Sequence, residues 1–140
     1  MTELFEYGKQ VLAAQPFSRS LGARLTLLEI GRAGIALDLV EDLKQQHGFA
    51  HGGVLSYLAD NCMTYAGASV LGDSVTSEFK INYLRPALGE TLIARASVLH
   101  SGKTQAVCHC EVMAVADGKE KIVAIAQGTI RKIAQVEDEQ

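Results

Sequence analysis

Residues 52–71 read Gly52-Gly-Val-Leu-Ser-Tyr-Leu-Ala-Asp60-Asn-Cys-Met-Thr-Tyr-Ala-Gly-Ala-Ser-Val-Leu71. On a helix over this stretch, Val54, Leu55, Leu58, Ala59, Cys62, Met63, Ala66 and Val70 surround nearly the whole circumference. A helix apolar on nearly all sides belongs in a core rather than on a surface. Asp60 and Asn61 at its centre argue against a membrane span. The rest of the chain therefore has to wrap this one element.

Downstream the pattern changes period. Val75, Ser77, Phe79, Ile81 and Tyr83 alternate with Thr76, Glu78, Lys80 and Asn82, the repeat of a strand. Arg85-Pro86 stops the run, and strands are predicted over residues 91–99, 104–116 and 121–133. A Ser101-Gly102 turn and the hairpin pair Asp117-Gly118 separate them. Upstream, residues 2–14 predict a short helix with Thr2 as N-cap, ended by Gln15-Pro16 because the residue before proline avoids the α region. Residues 23–30 and 34–40 predict a hairpin about Gly31 to Gly34, residues 41–50 a loop, and residues 136–140 an acidic tail that frays. The four later strands are expected as successive antiparallel neighbours. The sum is an α+β fold, a long central hydrophobic helix in a curved antiparallel sheet of about six strands. One helix cannot cover both sheet edges, so an edge is expected to pair with a second copy.

At 140 residues the chain is expected to be one domain, 1–140. Apolar residues at 48% and charged residues at 21% exclude disorder. Thirteen basic against 16 acidic residues, net −3, offer no basic excess for nucleic acid or an anionic membrane. The opening Met-Thr-Glu-Leu-Phe-Glu has early acids and no basic stretch, so no signal peptide is expected. Three cysteines, two of them at Cys108 and Cys110, fit reduced thiols in a cytoplasmic protein better than a disulfide scaffold.

Two features carry chemistry. Asp60 lies mid-helix among apolar residues, where a carboxylate costs several kcal/mol unless compensated. It suits a general base; the alternative is that Asp60 and Asn61 mark a thin solvent-facing strip. His51-Gly52-Gly53 precedes the helix, where unpaired N–H groups and a partial positive charge can polarise a carbonyl; the alternative is a flexible entry turn. Gly52 and Asp60 are eight residues apart, about 12 Å along one helix. One carbonyl cannot serve both within a chain, so either the sites are unrelated or Asp60 comes from another copy across a two-fold axis.

The run Gln45-Gln-His-Gly-Phe-Ala-His51-Gly-Gly-Val-Leu-Ser-Tyr-Leu-Ala-Asp60 resembles the signature of hotdog-fold acyl-CoA thioesterases of the PaaI-like (phenylacetic acid degradation) group. That signature joins His-Gly-Gly to an acid nine positions after the histidine, as His51 and Asp60 are here. Phe79-Lys-Ile-Asn-Tyr-Leu-Arg-Pro-Ala87 with Gly89-Glu90 resembles the group's third strand and following turn. The resemblance implies hydrolysis of acyl-CoA to free acid and coenzyme A by a homo-oligomer, dimer or dimer of dimers, with no cofactor and no metal. It implies that the Gly52 N–H binds the thioester oxygen and that Asp60 of the facing subunit is general base or nucleophile. Gln45 stands where the group often has asparagine, one methylene shorter, to hold water or substrate. Thr76 matches a Ser/Thr position, ten residues before Pro86, that orients the water. His51 organises the turn with Gly53, His47 assists or packs, and Arg85 leads Lys80, Lys103 and Arg131 as a contact for the coenzyme's phosphates. Phe49, Tyr57, Met63 and Tyr65 are expected to line the acyl pocket.

A metal at Cys108-His109-Cys110 is disfavoured, because on a strand the two thiols share one face and His109 points to the other. Two rivals stay open. A hotdog dehydratase or hydratase would carry His-Phe-Pro-Gly or Asp-x-Asn-Pro-x-His, and neither occurs. A non-catalytic acyl-CoA-binding module of the same fold would release no thiol.

Overall fold

The computed structural model describes residues 2–134, so the expected tail at 136–140 lies outside the described residues. Helix α1 (Glu3–Ala13) starts as expected, the Thr2 hydroxyl accepting from the Phe5 N–H at 3.1 Å. Pro16 does more than stop it. A second, unexpected helix α2 (Pro16–Leu21) begins on that proline, whose fixed φ suits the first helical position. Strands β1 (Arg24–Glu29) and β2 (Arg32–Asp38) form the first hairpin. Its turn is shorter than the expected Gly31 to Gly34: Arg32 already pairs with Glu29, and Gly31 alone takes a positive φ, of 85°. Gly34 belongs to β2, where a Cβ would stand 2.6 Å from the Thr26 hydroxyl.

After a 3₁₀ turn at Glu41–Leu43, α3 (Gly52–Leu71) has the expected bounds. Strands β3 (Ser74–Tyr83), β4 (Thr91–Ser101), β5 (Gln105–Ala116) and β6 (Lys119–Lys132) complete one six-stranded antiparallel sheet. Its order is β1-β2-β4-β5-β6-β3. This corrects the expected succession of neighbours: β4 lies beside β2, and β3 pairs with β6 at the far edge. The connection between β3 and β4 makes the detour by bonding to the strand ends that it passes. Leu84 N–H donates to the Val123 carbonyl at 2.8 Å, then Glu90 N–H to the Val115 carbonyl at 2.9 Å. Gly89, at φ 141°, passes so near Val115 that a Cβ would lie 2.2 Å from its carbonyl oxygen.

Helix α3 packs against all six strands. Leu58, Cys62, Met63 and Ala66 are fully buried against Ile35, Leu37, Leu92, Val112 and Ile130. Gly67 brings α3 and β6 together, since a Cβ there would lie 2.7 Å from Cβ of Ile130. Cys108 and Cys110 are core cysteines as expected, with His109 half-buried on the opposite face of β5. Burial pushes the Cys108 thiol up to about 11 and raises Cys62 as well. Among the described residues no helix is long and apolar enough to cross a membrane.

Candidate active site

The first turn of α3 leaves one donor over. His51 is the N-cap, and its Nδ1 accepts the Gly53 N–H at 2.9 Å. Its carbonyl accepts the Val54 N–H at 2.9 Å. Among the described residues no acceptor meets the Gly52 N–H, at the positive end of a 20-residue helix. Gly52 lines a pocket of about 250 Å³ with Gln45, Phe49, Leu55, Tyr83 and Arg85.

Gln45 builds the wall of that pocket. Its side-chain Oε1 accepts from the His47 N–H, its own N–H donates to the Phe49 carbonyl at 2.9 Å, and its carbonyl accepts from Gly48 at 3.0 Å. Gly48 takes a φ of 89° to close this turn. The Gln45 amide NH₂ keeps both donors free of partners among the described residues. His47 is exposed and stacks on Phe49, with ring centroids 6.1 Å apart. Arg85 is exposed at the lip and shares an adjoining groove of about 400 Å³ with Lys119 and Lys121. Lys80, Lys103 and Arg131 line neither cavity.

Asp60 lies in a separate open groove of about 570 Å³, flanked by Phe17, Tyr57, Asn61, Thr64 and Thr76. Its Oδ1 accepts from the Thr76 hydroxyl, which therefore holds the carboxylate directly. Thr76 Oγ1 is also 2.9 Å from Thr64 Oγ1, which lies 2.9 Å from the Asp60 carbonyl. Thr76 spends its one proton on the carboxylate, so Thr64 has a single proton to divide between the Asp60 carbonyl and Thr76 Oγ1. Oδ2 of Asp60 has no hydrogen-bond partner among the described residues. The partly exposed strip formed by Asp60 and Asn61 thus faces a groove.

The sequence reading missed three things here. Thr64 is four residues after Asp60 on the same helix face, a spacing that could have flagged it. Tyr83 gave no signal beyond strand period. Helix α2 supplies the groove wall: Ser18 is buried, donates to Gln15 Oε1 at 2.6 Å and accepts from the Tyr57 hydroxyl at 2.6 Å. Asn61 Nδ2 joins both Gln15 and Tyr57 at 3.1 Å. Two expected lining residues are corrected. Met63 is wholly buried in the core, and Tyr65 is buried beside α1 with its hydroxyl on the Gly8 carbonyl at 2.9 Å. Their positions on the helix face the sheet and α1, whereas Phe49 lines the Gly52 pocket and Tyr57 the Asp60 groove.

The model of the Thioesterase superfamily matches residues 47–121, more than half of the chain, and its span takes in His51, Gly52, Asp60, Thr76 and Arg85. The chain belongs to the thioesterase superfamily. It is 32% identical over 117 residues to acyl-coenzyme A thioesterase PaaI of Escherichia coli (strain K12), covering 83% of this chain and 81% of that protein. To acyl-coenzyme A thioesterase 13 of Homo sapiens it is 34% identical over 134 residues, 89% of each chain. The crystal structure of a thioesterase family protein from Silicibacter pomeroyi superposes with a TM-score of 0.89 at 34% identity, covering 94% of this chain and 99% of that one. The PaaI-like hotdog fold expected from the motif at residues 45–60 is borne out.

Proposed function

We propose that this thioesterase hydrolyses acyl-CoA to a free carboxylic acid and coenzyme A at a site shared by two copies of the chain. One observation carries the reading. The free Gly52 N–H and the Thr76-held Asp60 carboxylate sit on one helix, about 12 Å apart, in separate cavities. Strand β3 ends the sheet beside both, because Tyr83 lies against Gly52 and Thr76 against Asp60. Antiparallel pairing of two β3 edges about a two-fold axis sets the Thr76 end of one strand beside the Tyr83 end of the other. Each Gly52 then meets the Asp60 of the other chain.

In this reading the thioester oxygen accepts from the Gly52 N–H, where the helix terminus stabilises the oxyanion that develops. Asp60, aimed by Thr76, acts through its free Oδ2 as general base on water or as nucleophile on the carbonyl. Collapse of the tetrahedral species expels the coenzyme thiolate, which takes up the proton that Asp60 drew from water. On the nucleophilic route the thiolate is protonated from solvent, and water then hydrolyses the acyl-Asp60 anhydride to free the acid and restore the carboxylate. Gln45 offers its amide NH₂ to water or substrate. His51 and Gly53 hold the turn, and His47 packs on Phe49 beside it. Arg85, joined in its groove by Lys119 and Lys121, takes the coenzyme's phosphates.

The test is release of free thiol from a panel of aryl- and alkyl-CoA substrates. Asp60→Asn keeps the shape and loses the carboxylate, and its turnover is expected to fall about 10²-fold or more. An Asp60→Asn variant with full activity ends the proposal.

A further inference from the structure

Resting on the reading that Gly52 binds the thioester oxygen, we propose that Tyr83 is a positioning residue that aims the Gly52 N–H. Tyr83 is the last residue of β3, and 53% of its surface is exposed. Its hydroxyl donates to the Gly52 carbonyl at 3.1 Å and lies 2.6 Å from Ser56 Oγ. A carbonyl cannot donate, so the tyrosine proton goes to Gly52 and Ser56 must be the donor to Tyr83. The order Ser56 to Tyr83 to Gly52 is forced.

Glycine is the residue least able to hold its own dihedral angles. Here the peptide planes on either side of Gly52 are held by the first turn of the helix, by its cap and by Tyr83. In the plane that follows, Tyr83 adds a second donor to the carbonyl that the Ser56 N–H takes within the helix, and His51 Nδ1 takes the Gly53 N–H. In the plane that precedes, the His51 carbonyl is held by Val54 N–H, leaving the Gly52 N–H as the open end. The direction of that donor therefore depends on a clamp of which Tyr83 is one jaw. The ring adds a steric limit. A Cβ on residue 52 would lie 3.4 Å from Cζ and from Oη of Tyr83, so the ring covers one side of Gly52 and the thioester enters from the other. Ser56 and Tyr83 lie outside the residues expected from the sequence to form the site.

The experiment compares Tyr83→Phe, Ser56→Ala and the double variant, using the acyl-CoA that the wild type hydrolyses fastest. A donor tilted out of line loses part of the 10²–10³-fold that a whole donor is worth, so Tyr83→Phe is expected to lower kcat by about tenfold. KM stays within about twofold, and Tm within about 2 °C, because the ring and its packing remain. Ser56→Ala loses less, and the double variant no more than Tyr83→Phe, since both act through one hydroxyl chain. An activity-free readout accompanies this. In amide NMR spectra the Gly52 and Gly53 resonances shift and exchange faster in Tyr83→Phe, while Thr76 holds its place. Wild-type kcat in Tyr83→Phe, a rise in KM alone, or unmoved Gly52 and Gly53 amides overturns the proposal. If the wild type hydrolyses no acyl-CoA, or Asp60→Asn is fully active, the shared-site mechanism fails, and the amide spectra still decide whether Tyr83 holds Gly52.

Discussion

Mixing two dead variants gives the sharpest test of the shared site. A thioester carbonyl must come within about 3 Å of its N–H donor, and the attacking oxygen within about 3.5 Å of its carbon. Donor and attacking oxygen can then be at most about 8 Å apart, and a base acting through water about 3 Å further, whereas eight residues of α3 separate Gly52 from Asp60 by about 12 Å. Gly52→Val disables the first position from the Tyr83 side: its Cβ would press on that ring at 3.4 Å and shift the residue 52 backbone, while the half-exposed ring can give way, so the fold survives. Asp60→Asn removes the second function. Unfolded together and refolded with random pairing, the two variants give about half mixed dimers. In each mixed dimer one site collects both defects and the other receives an intact Gly52 and an intact Asp60. About a quarter of wild-type thiol release is therefore expected to return. If the mixture stays as inactive as its parents while mass spectrometry shows mixed dimers, the two residues do not share a site between chains.

Two further outcomes test the packing. Gly67→Ala improves helix propensity by about 1 kcal/mol, yet its Cβ would lie 2.7 Å from Cβ of the fully buried Ile130, which cannot swing away. A net fall in Tm of roughly 4 °C or more is expected by calorimetry, and a rise would refute the close contact. The buried thiols make stability depend on alkaline pH. Burial lifts Cys108 from 9.0 to about 11, so the unfolded chain sheds that proton first. Its contribution is complete below pH 9 and drains away as pH climbs towards 11, by about 3 kcal/mol in all. Urea unfolding should show a steep loss over that window that is smaller in Cys108→Ala; equal slopes in both proteins would remove Cys108 as the cause.

Much of the site was legible because it is local. A helix N-terminus, two glycines and a histidine cap are neighbours in the chain, and the backbone geometry of residues 51–54 follows from that alone. The acid in an apolar helix announced itself by its cost, and the eight-residue spacing gave the distance between the two cavities. Thr76 could be proposed only through resemblance, since an alternating strand carries no sign of which helix residue it will face. Tyr83 and Ser18 stayed hidden for the same reason, since their partners lie 31 and 39 residues away, whereas Thr64 stands four residues from Asp60 on the same helix face.

By itself the sequence determined the elements whose signals are periodic or local: the apolar helix at residues 52–71, the two-residue alternation of β3, and the Asp117-Gly118 hairpin, whose residues take φ of 51° and 76°. Period is a property of one segment and says nothing of its neighbour. Which strands pair was decided only in three dimensions, by the path of residues 84–90 over the ends of β6 and β5 and by the close approach of Gly67 to Ile130. That packing put β3 at the edge of the sheet, with Thr76 against Asp60 and Tyr83 against Gly52. Side chains distant in sequence meet only once the core has closed, because burying α3 on every side selects one arrangement of strands around it.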